Sequence, residues 1–244
     1  MVGSKQPSPV FLGPNEAESH CRAGTSIWKF ASTDGGLNPD VVLVGIGAEL
    51  MFEVIYAAAI LRKRIPDLRV RVINVTDLMI LETEGSHPHA LTEDSFDALF
   101  TPDLPIHFNF HGYPTELQGL LFGRPSLERA SIAGYMEEGS TTTPFDMMLV
   151  NQVSRFHVAK AAVKGGGKRN EKVRMRQQEL LTELDHNIVE TRKYILEHRK
   201  GMLNGFPRVV KYFSRCCKPG LILVPLPTTQ TPKTCMSYQD LPNV

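Results

Sequence analysis

The sequence predicts an α/β fold in which strands and helices alternate around a largely parallel sheet, and three observations carry that expectation. Residues 40–46 (DVVLVGI) are an unbroken apolar run, the pattern of a strand buried on both faces. Over residues 48–64 the pattern changes to helical spacing, with Leu50, Met51, Val54, Ile55, Ala58 and Leu61 on one side and Pro66 as the stop. The same change of period recurs further along the chain, which is the signature of βα units rather than of segregated strands and helices.

Taken in order, residues 1–24 carry Pro7, Pro9, Gly13 and Pro14 with little periodicity and read as an extended lead-in, so order is expected from near Ile27. After the first βα unit, residues 69–75 (RVRVINV) read as a second strand joined to the first by a right-handed crossover. Thr92 then caps a helix with Glu93 and Asp94 in its first turn and Phe96, Leu99 and Phe100 on its buried face. Residues 105–110 (PIHFNF) give a third strand, residues 117–122 a short helical piece and residues 131–136 (SIAGYM) a weaker fourth strand. Thr143, Pro144 and Asp146 form a strong helix start, and the spacing predicts one helix to about Val163, ended by Gly165, Gly166 and Gly167. A second, longer helix is expected over residues 171–198, with Val173, Leu180, Leu184, Ile188 and Ile195 on one face. Residues 201–244 lose all periodicity and hold Pro225, Pro227, Pro232 and Pro242, the composition of a disordered tail.

Composition narrows the class of function. The 244 residues carry 27 Lys+Arg against 26 Asp+Glu, a formal charge of +1, so net charge points to neither a nucleic acid nor a membrane partner. No apolar stretch reaches the roughly 18 residues of a spanning helix and no signal peptide is evident, so a cytoplasmic address is expected. Four cysteines, two of them the adjacent Cys216 and Cys217, read as reduced thiols.

Four segments bear on chemistry. Gly45-Ile46-Gly47, between strand and helix, opens a dinucleotide fingerprint, but the third glycine would fall at Leu50 and no acid clearly ends the second strand; a tight turn is the simpler reading. His87 with His89 and His107 with His111 invite a metal, yet no Cys-x-x-Cys or His-Glu-x-x-His frame accompanies them and no metal is expected. His111, Gly112 and Tyr113 follow a strand at its C-terminal end, where open α/β sheets bind ligands; His111 serves either there or in a local turn. The loop of Glu137, Glu138, Gly139, Thr141, Thr142 and Thr143 runs into a helix start, which suits an anion or plain capping, and its two acids oppose a bare phosphate. These two segments, on one edge of the sheet, make up the candidate functional surface, with His111 expected to meet Glu137 or Glu138. The basic run of Lys168, Arg169, Lys172, Arg174 and Arg176 lacks aromatics and is flanked by acids, as in a solvated helix face.

Phe110-His111-Gly112-Tyr113-Pro114, followed by Gly134-Tyr135-x-Glu137-Glu138-Gly139-x-Thr141-Thr142-Thr143-Pro144-Phe145-Asp146-Met147, resembles the C-terminal domain of phosphoketolase. Ile27-Trp28-x-Phe30-Ala31-Ser32, the stretch from Val70 through Asp77 to Met79, and Phe96-Asp97-Ala98-Leu99-Phe100-Thr101 extend the resemblance to residues 21–200. It implies a transketolase-like C-terminal fold over residues 25–200, a three-layer α/β sandwich with one antiparallel strand in its sheet. It also implies a parent enzyme that uses thiamine diphosphate and Mg²⁺ to cleave xylulose 5-phosphate or fructose 6-phosphate with phosphate, giving acetyl phosphate. In that family the cofactor lies between two other domains whose motifs are not found here, so this chain is expected to bind no cofactor and to hold no catalytic residue. The implied partners are those thiamine-binding domains or a second copy, and the departing tail fits a fragment. The alternative is a free-standing module binding an anionic metabolite or a protein.

Overall fold

The computed structural model describes residues 10–36, 38–136 and 142–199. Five strands form one sheet in the order β1-β3-β2-β4-β5, where β1 is Thr25–Ile27, β2 Val41–Ile46, β3 Val70–Val75, β4 Ile106–Phe110 and β5 Ala130–Gly134. β2, β3, β4 and β5 run parallel, and β1 pairs antiparallel with β3 through Thr25↔Val75 and Ile27↔Ile73. Every residue of β2, β3 and β4 is buried, because helices cover both faces.

The alternation of side chains along each strand feeds two cores. On one face Val41, Leu43, Val70 and Val72 pack beneath α2 (Ala48–Arg64), α6 (Arg155–Gly166) and α7 (Glu171–His198). On the other, Val42, Val44, Ile73, Val75, Phe108 and Phe110 pack against α3 (Glu93–Phe100) and α4 (Pro114–Leu121). The result is the three-layer α/β sandwich. Arg124, whose side chain is fully buried, ties down the segment between β3 and α3: it donates to the carbonyls of Ile80, Leu81, Glu82 and Leu91, pairs with Glu93 and lies 4.4 Å over the Phe96 ring.

The structure departs from the sequence reading in two places. The lead-in is not extended, since Pro14–Ala23 is a helix, α1, and Phe11 packs with Trp28, Phe30 and Phe52. Polar bonds replace an apolar stripe there. Asn74 Nδ2 donates to Gly45 O, leaving Oδ1 to accept from His20 Nε2 at 2.7 Å; His20 Nδ1 in turn accepts from Ser26 Oγ at 2.6 Å.

The helix expected from Thr143 to Val163 is two helices, α5 (Pro144–Val150) and α6, because tertiary bonds win at the break. Asn151 turns its amide onto the backbone N–H and C=O of Met136, both at 3.1 Å, and Val153 O accepts from Asn109. α6 itself closes where expected, with Gly167 as its C-cap and Gly165 and Gly166 as its last two residues. A Cβ on them would meet Pro105 at 2.9 Å and Leu68 at 2.5 Å, so they let the helix press onto the strand entrances. Residues 201–244, expected as a tail, lie outside the described residues.

Candidate functional site

β3 and β4 flank β2 on opposite sides, so the connections after β2 and β3 leave in opposite directions and a crevice opens at the carboxyl ends of β2 and β4. Gly47 forms one wall. Its φ of 94° is accessible to glycine, and a Cβ there would stand 2.6 Å from His111 Cβ. Gly45 behind it is equally constrained, because a Cβ would lie 2.9 Å from Met51 Cα. The Gly-Ile-Gly segment is therefore a tight βα turn that admits a histidine.

His111 is fixed from below by its N–H, which donates to Ile46 O at 2.9 Å, and from the side by the Tyr135 ring, edge-on at 4.9 Å. Gly134 holds the rest of the turn, since a Cβ on it would stand 2.5 Å from Pro114 Cδ. The carboxylate that the structure places near His111 is Glu49, in the first turn of α2, with 3.7 Å between Nδ1 and Oε2. The expected partners Glu137 and Glu138, with Gly139 and Thr141, lie outside the described residues. Tyr113 is exposed beside this turn, and Gly112 packs over the Phe110 ring.

Thr142 and Thr143 stand further along the same edge. Thr143 Oγ1 accepts from Asp146 N–H and caps α5, and Thr142 Oγ1 donates to Asp146 Oδ2 at 2.7 Å. Asp146 is buried, and Arg192 of α7 approaches its Oδ1 at 3.3 Å as an ion pair without hydrogen-bond alignment. A cleft of about 630 Å³ runs along β5 here, lined by Pro114, Gly134, Met136, Thr142, Asp146 and Arg192. Sequence reasoning missed Glu49, Asp146 and Arg192 as members of this edge. Only Asp146 left a signal, as the acid after Thr143-Pro144.

At the carboxyl end of β3, Asp77 accepts from Met79 N–H and His89 Nδ1. Burial alone would raise its carboxyl, but those two hydrogen bonds and the nearby His89 and His87 hold it below the ordinary carboxylate range. His107 sits far from any such edge, buried in β4 with Nδ1 donating to Ser131 Oγ. Among the described residues no group of three or more His, Cys, Asp or Glu is placed to hold a metal ion. Among the described residues the acids of this edge are engaged by neighbouring side chains, Asp77 by His89, Glu49 by His111 and Asp146 by Arg192. What the crevice offers is an exposed imidazole and carboxylate in reach of one another, the uncapped amides that start α2, and Tyr113, a surface suited to hydrogen bonding with an apposed polar partner.

A family model described as the XFP C-terminal domain matches residues 5–205. A probable phosphoketolase of Schizosaccharomyces pombe is 50% identical over 199 residues, which cover 82% of this chain and 24% of that protein. A second, from Mesorhizobium japonicum, is 41% identical over 203 residues, 83% of this chain and 24% of the relative. The chain belongs to the phosphoketolase C-terminal domain family. It spans about a quarter of the length of these curated relatives. Among solved structures a transketolase from Leishmania mexicana aligns at TM-score 0.44 and 13% identity, covering 62% of this chain and 19% of the other. Among the described residues no helix is long and apolar enough to cross a membrane.

Proposed function

We propose that this chain is the C-terminal domain of a thiamine diphosphate-dependent phosphoketolase, an enzyme of carbohydrate metabolism that cleaves xylulose 5-phosphate or fructose 6-phosphate with phosphate to acetyl phosphate. In this reading the chain is non-catalytic by itself, acts in the cytoplasm, and presents its carboxyl edge to the thiamine-binding domains. The observation that carries it is the crevice between β2 and β4: Gly47 and Gly134 hold the His111 turn rigidly, while His111, Glu49 and Tyr113 stay open to solvent beside it. Groups positioned so closely yet left exposed suit docking against a fixed complementary surface. The cofactor, when held by the other domains, supplies the carbanion chemistry. The residues here would orient the domain through hydrogen bonds and exclude water from the seam.

The test is complementation. A phosphoketolase of the Schizosaccharomyces pombe type, truncated of this domain, is mixed with the purified chain and assayed for acetyl phosphate from xylulose 5-phosphate. Expected is restored turnover with the wild-type chain and about tenfold weaker restoration with His111→Ala. Binding of thiamine diphosphate and Mg²⁺ by the chain alone, read by titration calorimetry, would overturn the non-catalytic assignment.

A further inference from the structure

β1 is an edge strand, so its backbone pairs with β3 on one side and faces outward on the other. Trp28 N–H donates to Val72 O, and Thr76 N–H donates to Gly24 O. Because an antiparallel ladder alternates, the backbone of Ser26 is turned inward to Asn74, and the N–H groups of Thr25 and Ile27 lie on the outer side. The Ile27 N–H therefore points off the edge of the sheet, directly after Ser26 in the chain.

Ser26 is half-buried, and its hydroxyl ends a directed relay. Since Asn74 Nδ2 donates to Gly45 O, Oδ1 is the atom that meets the His20 ring, and Nε2 must carry the proton that bridges the 2.7 Å between them. His20 Nδ1 is then an acceptor, and the Ser26 hydroxyl donates to it at 2.6 Å. A hydroxyl, a base in reach of its proton and a third group that orients the base are the parts of an activated nucleophile. Thiol, imidazole and amide stand in this order in papain-like proteases. In α/β-hydrolases the N–H of the residue after the nucleophile stabilises the oxyanion, and the equivalent group here is that of Ile27. Two other Ser–His contacts lack these parts: Ser131 Oγ accepts from His107 and donates to Ile106 O, and Ser154 is wholly buried beside His157.

We propose that Ser26 is an acyl-accepting nucleophile whose donor is a small acyl phosphate, with His20 as general base, Asn74 as positioning residue and Ile27 N–H as oxyanion donor. Ser26 Oγ attacks the acyl carbonyl while its proton passes to His20 Nδ1. The Oγ–C bond forms, the C–O bond to phosphate breaks, and phosphate leaves with the proton from the imidazolium. The relay also selects the donor. Asn74 is neutral and gives the imidazolium no counter-charge, so an acyl group on a good leaving group reacts and an amide does not. An open sheet edge suits a small donor rather than a polypeptide. The choice of acyl phosphate rests on the reading above, in which the parent enzyme forms acetyl phosphate; the nucleophilicity of Ser26 does not.

The full chain is incubated with a fluorophosphonate probe and, separately, with acetyl phosphate, and each serine is read by peptide mass spectrometry. Expected is labelling of Ser26 at least about tenfold faster than of Ser126, which is exposed and has no histidine partner among the described residues. Acetyl phosphate should leave an ester on Ser26 that hydroxylamine removes while lysine acetamides persist. His20→Gln keeps an acceptor toward Ser26 and a donor toward Asn74 but cannot take the proton, so both labels should fall about a hundredfold with an unchanged circular dichroism spectrum. Wild-type Ser26 labelled by the fluorophosphonate no faster than Ser126, or His20→Gln labelled like the wild type, would overturn the nucleophile itself. Fluorophosphonate labelling with no acetyl ester would overturn the acyl phosphate as donor. Acetyl phosphate is supplied directly, so either failure is separate from the question of what the parent enzyme makes.

Discussion

Glu53 and Arg155, 102 residues apart in sequence, close on one another where α2 meets the start of α6. The Glu53 carboxylate accepts from Arg155 N–H at 2.6 Å, from Nε at 3.0 Å and from Nη2 at 2.6 Å. Both side chains are buried, and the guanidinium is held between the rings of Tyr56 and Phe145, at 4.2 and 4.9 Å. Removing one partner strands the other charge in a low-dielectric site, so Glu53→Ala should cost roughly 3–5 kcal/mol in urea unfolding. Hydrogen exchange should show α5 and the first turn of α6 opening together; a loss below about 1 kcal/mol would mean that water replaces the carboxylate.

His107 should make the fold acid-labile. Burial, with His157 nearby as a lesser contribution, pushes its pKa down from 6.5 to about 4. The Ser131 hydroxyl donates to Ile106 O, so its oxygen accepts from Nδ1 and the buried Nε2 is left without a hydrogen bond or a proton. His157 is also held down to about 4, by burial and then by Lys160, with Asp185 opposing. A depressed histidine means that the unfolded chain takes up the proton first. Stability is therefore full above about pH 6.5 and falls as the pH drops toward 4, on the order of 2–3 kcal/mol for His107 alone. Urea unfolding at pH 7.5 and 5.0 checks the slope, and His107→Gln should flatten it.

Arg124→Lys should destabilise in spite of keeping the charge. One ammonium cannot reach four carbonyls and Glu93 while stacking on Phe96. A loss of about 2–4 kcal/mol is expected, with faster hydrogen exchange over residues 78–92 than in the sheet.

Two glycines at positive φ should behave differently when changed to alanine. At Gly35, φ 61°, nothing lies within 4 Å of a Cβ, so backbone strain of about 1 kcal/mol is the whole effect. At Gly47, φ 94°, the same strain adds to a clash with His111, and a loss of about 2 kcal/mol or more should accompany a shifted His111 imidazole signal in NMR. Equal losses at the two positions would show that the His111 turn yields freely.

Much of the fold was readable from local pattern. β2, α2 and β3 announced themselves because both-face burial leaves an apolar run, and α7 begins and ends where its spacing predicts, at Glu171 and His198. α1 escaped notice because its one buried side chain, His20, is polar and its bonds go to residues far along the chain. The break after Val150 escaped for a similar reason: Asn151, Val153 and Arg155 answer to Met136, Asn109 and Glu53, which no local period reveals. At the site, the His111 turn was legible from its place after a strand. Glu49 was not, since its nearness to His111 exists only once β2 and β4 lie side by side.

The bonds that secure α1 set a timetable for the chain. His20 leaves the ribosome ahead of everything it binds: Ser26 follows six residues later, but Asn74 is 54 residues downstream and takes its own orientation from Gly45. α1 has almost no apolar face to hold it in the meantime, and a ten-residue helix is too short to persist in water by itself. α1, made before the strands that hold it, is thus among the last parts of the domain to be locked, waiting on the non-local pairing of β3 with β2. A growing chain must keep this strip of sequence uncommitted through the birth of half the sheet, and the α1 surface then closes over β1 and β3 as a seal on completed assembly.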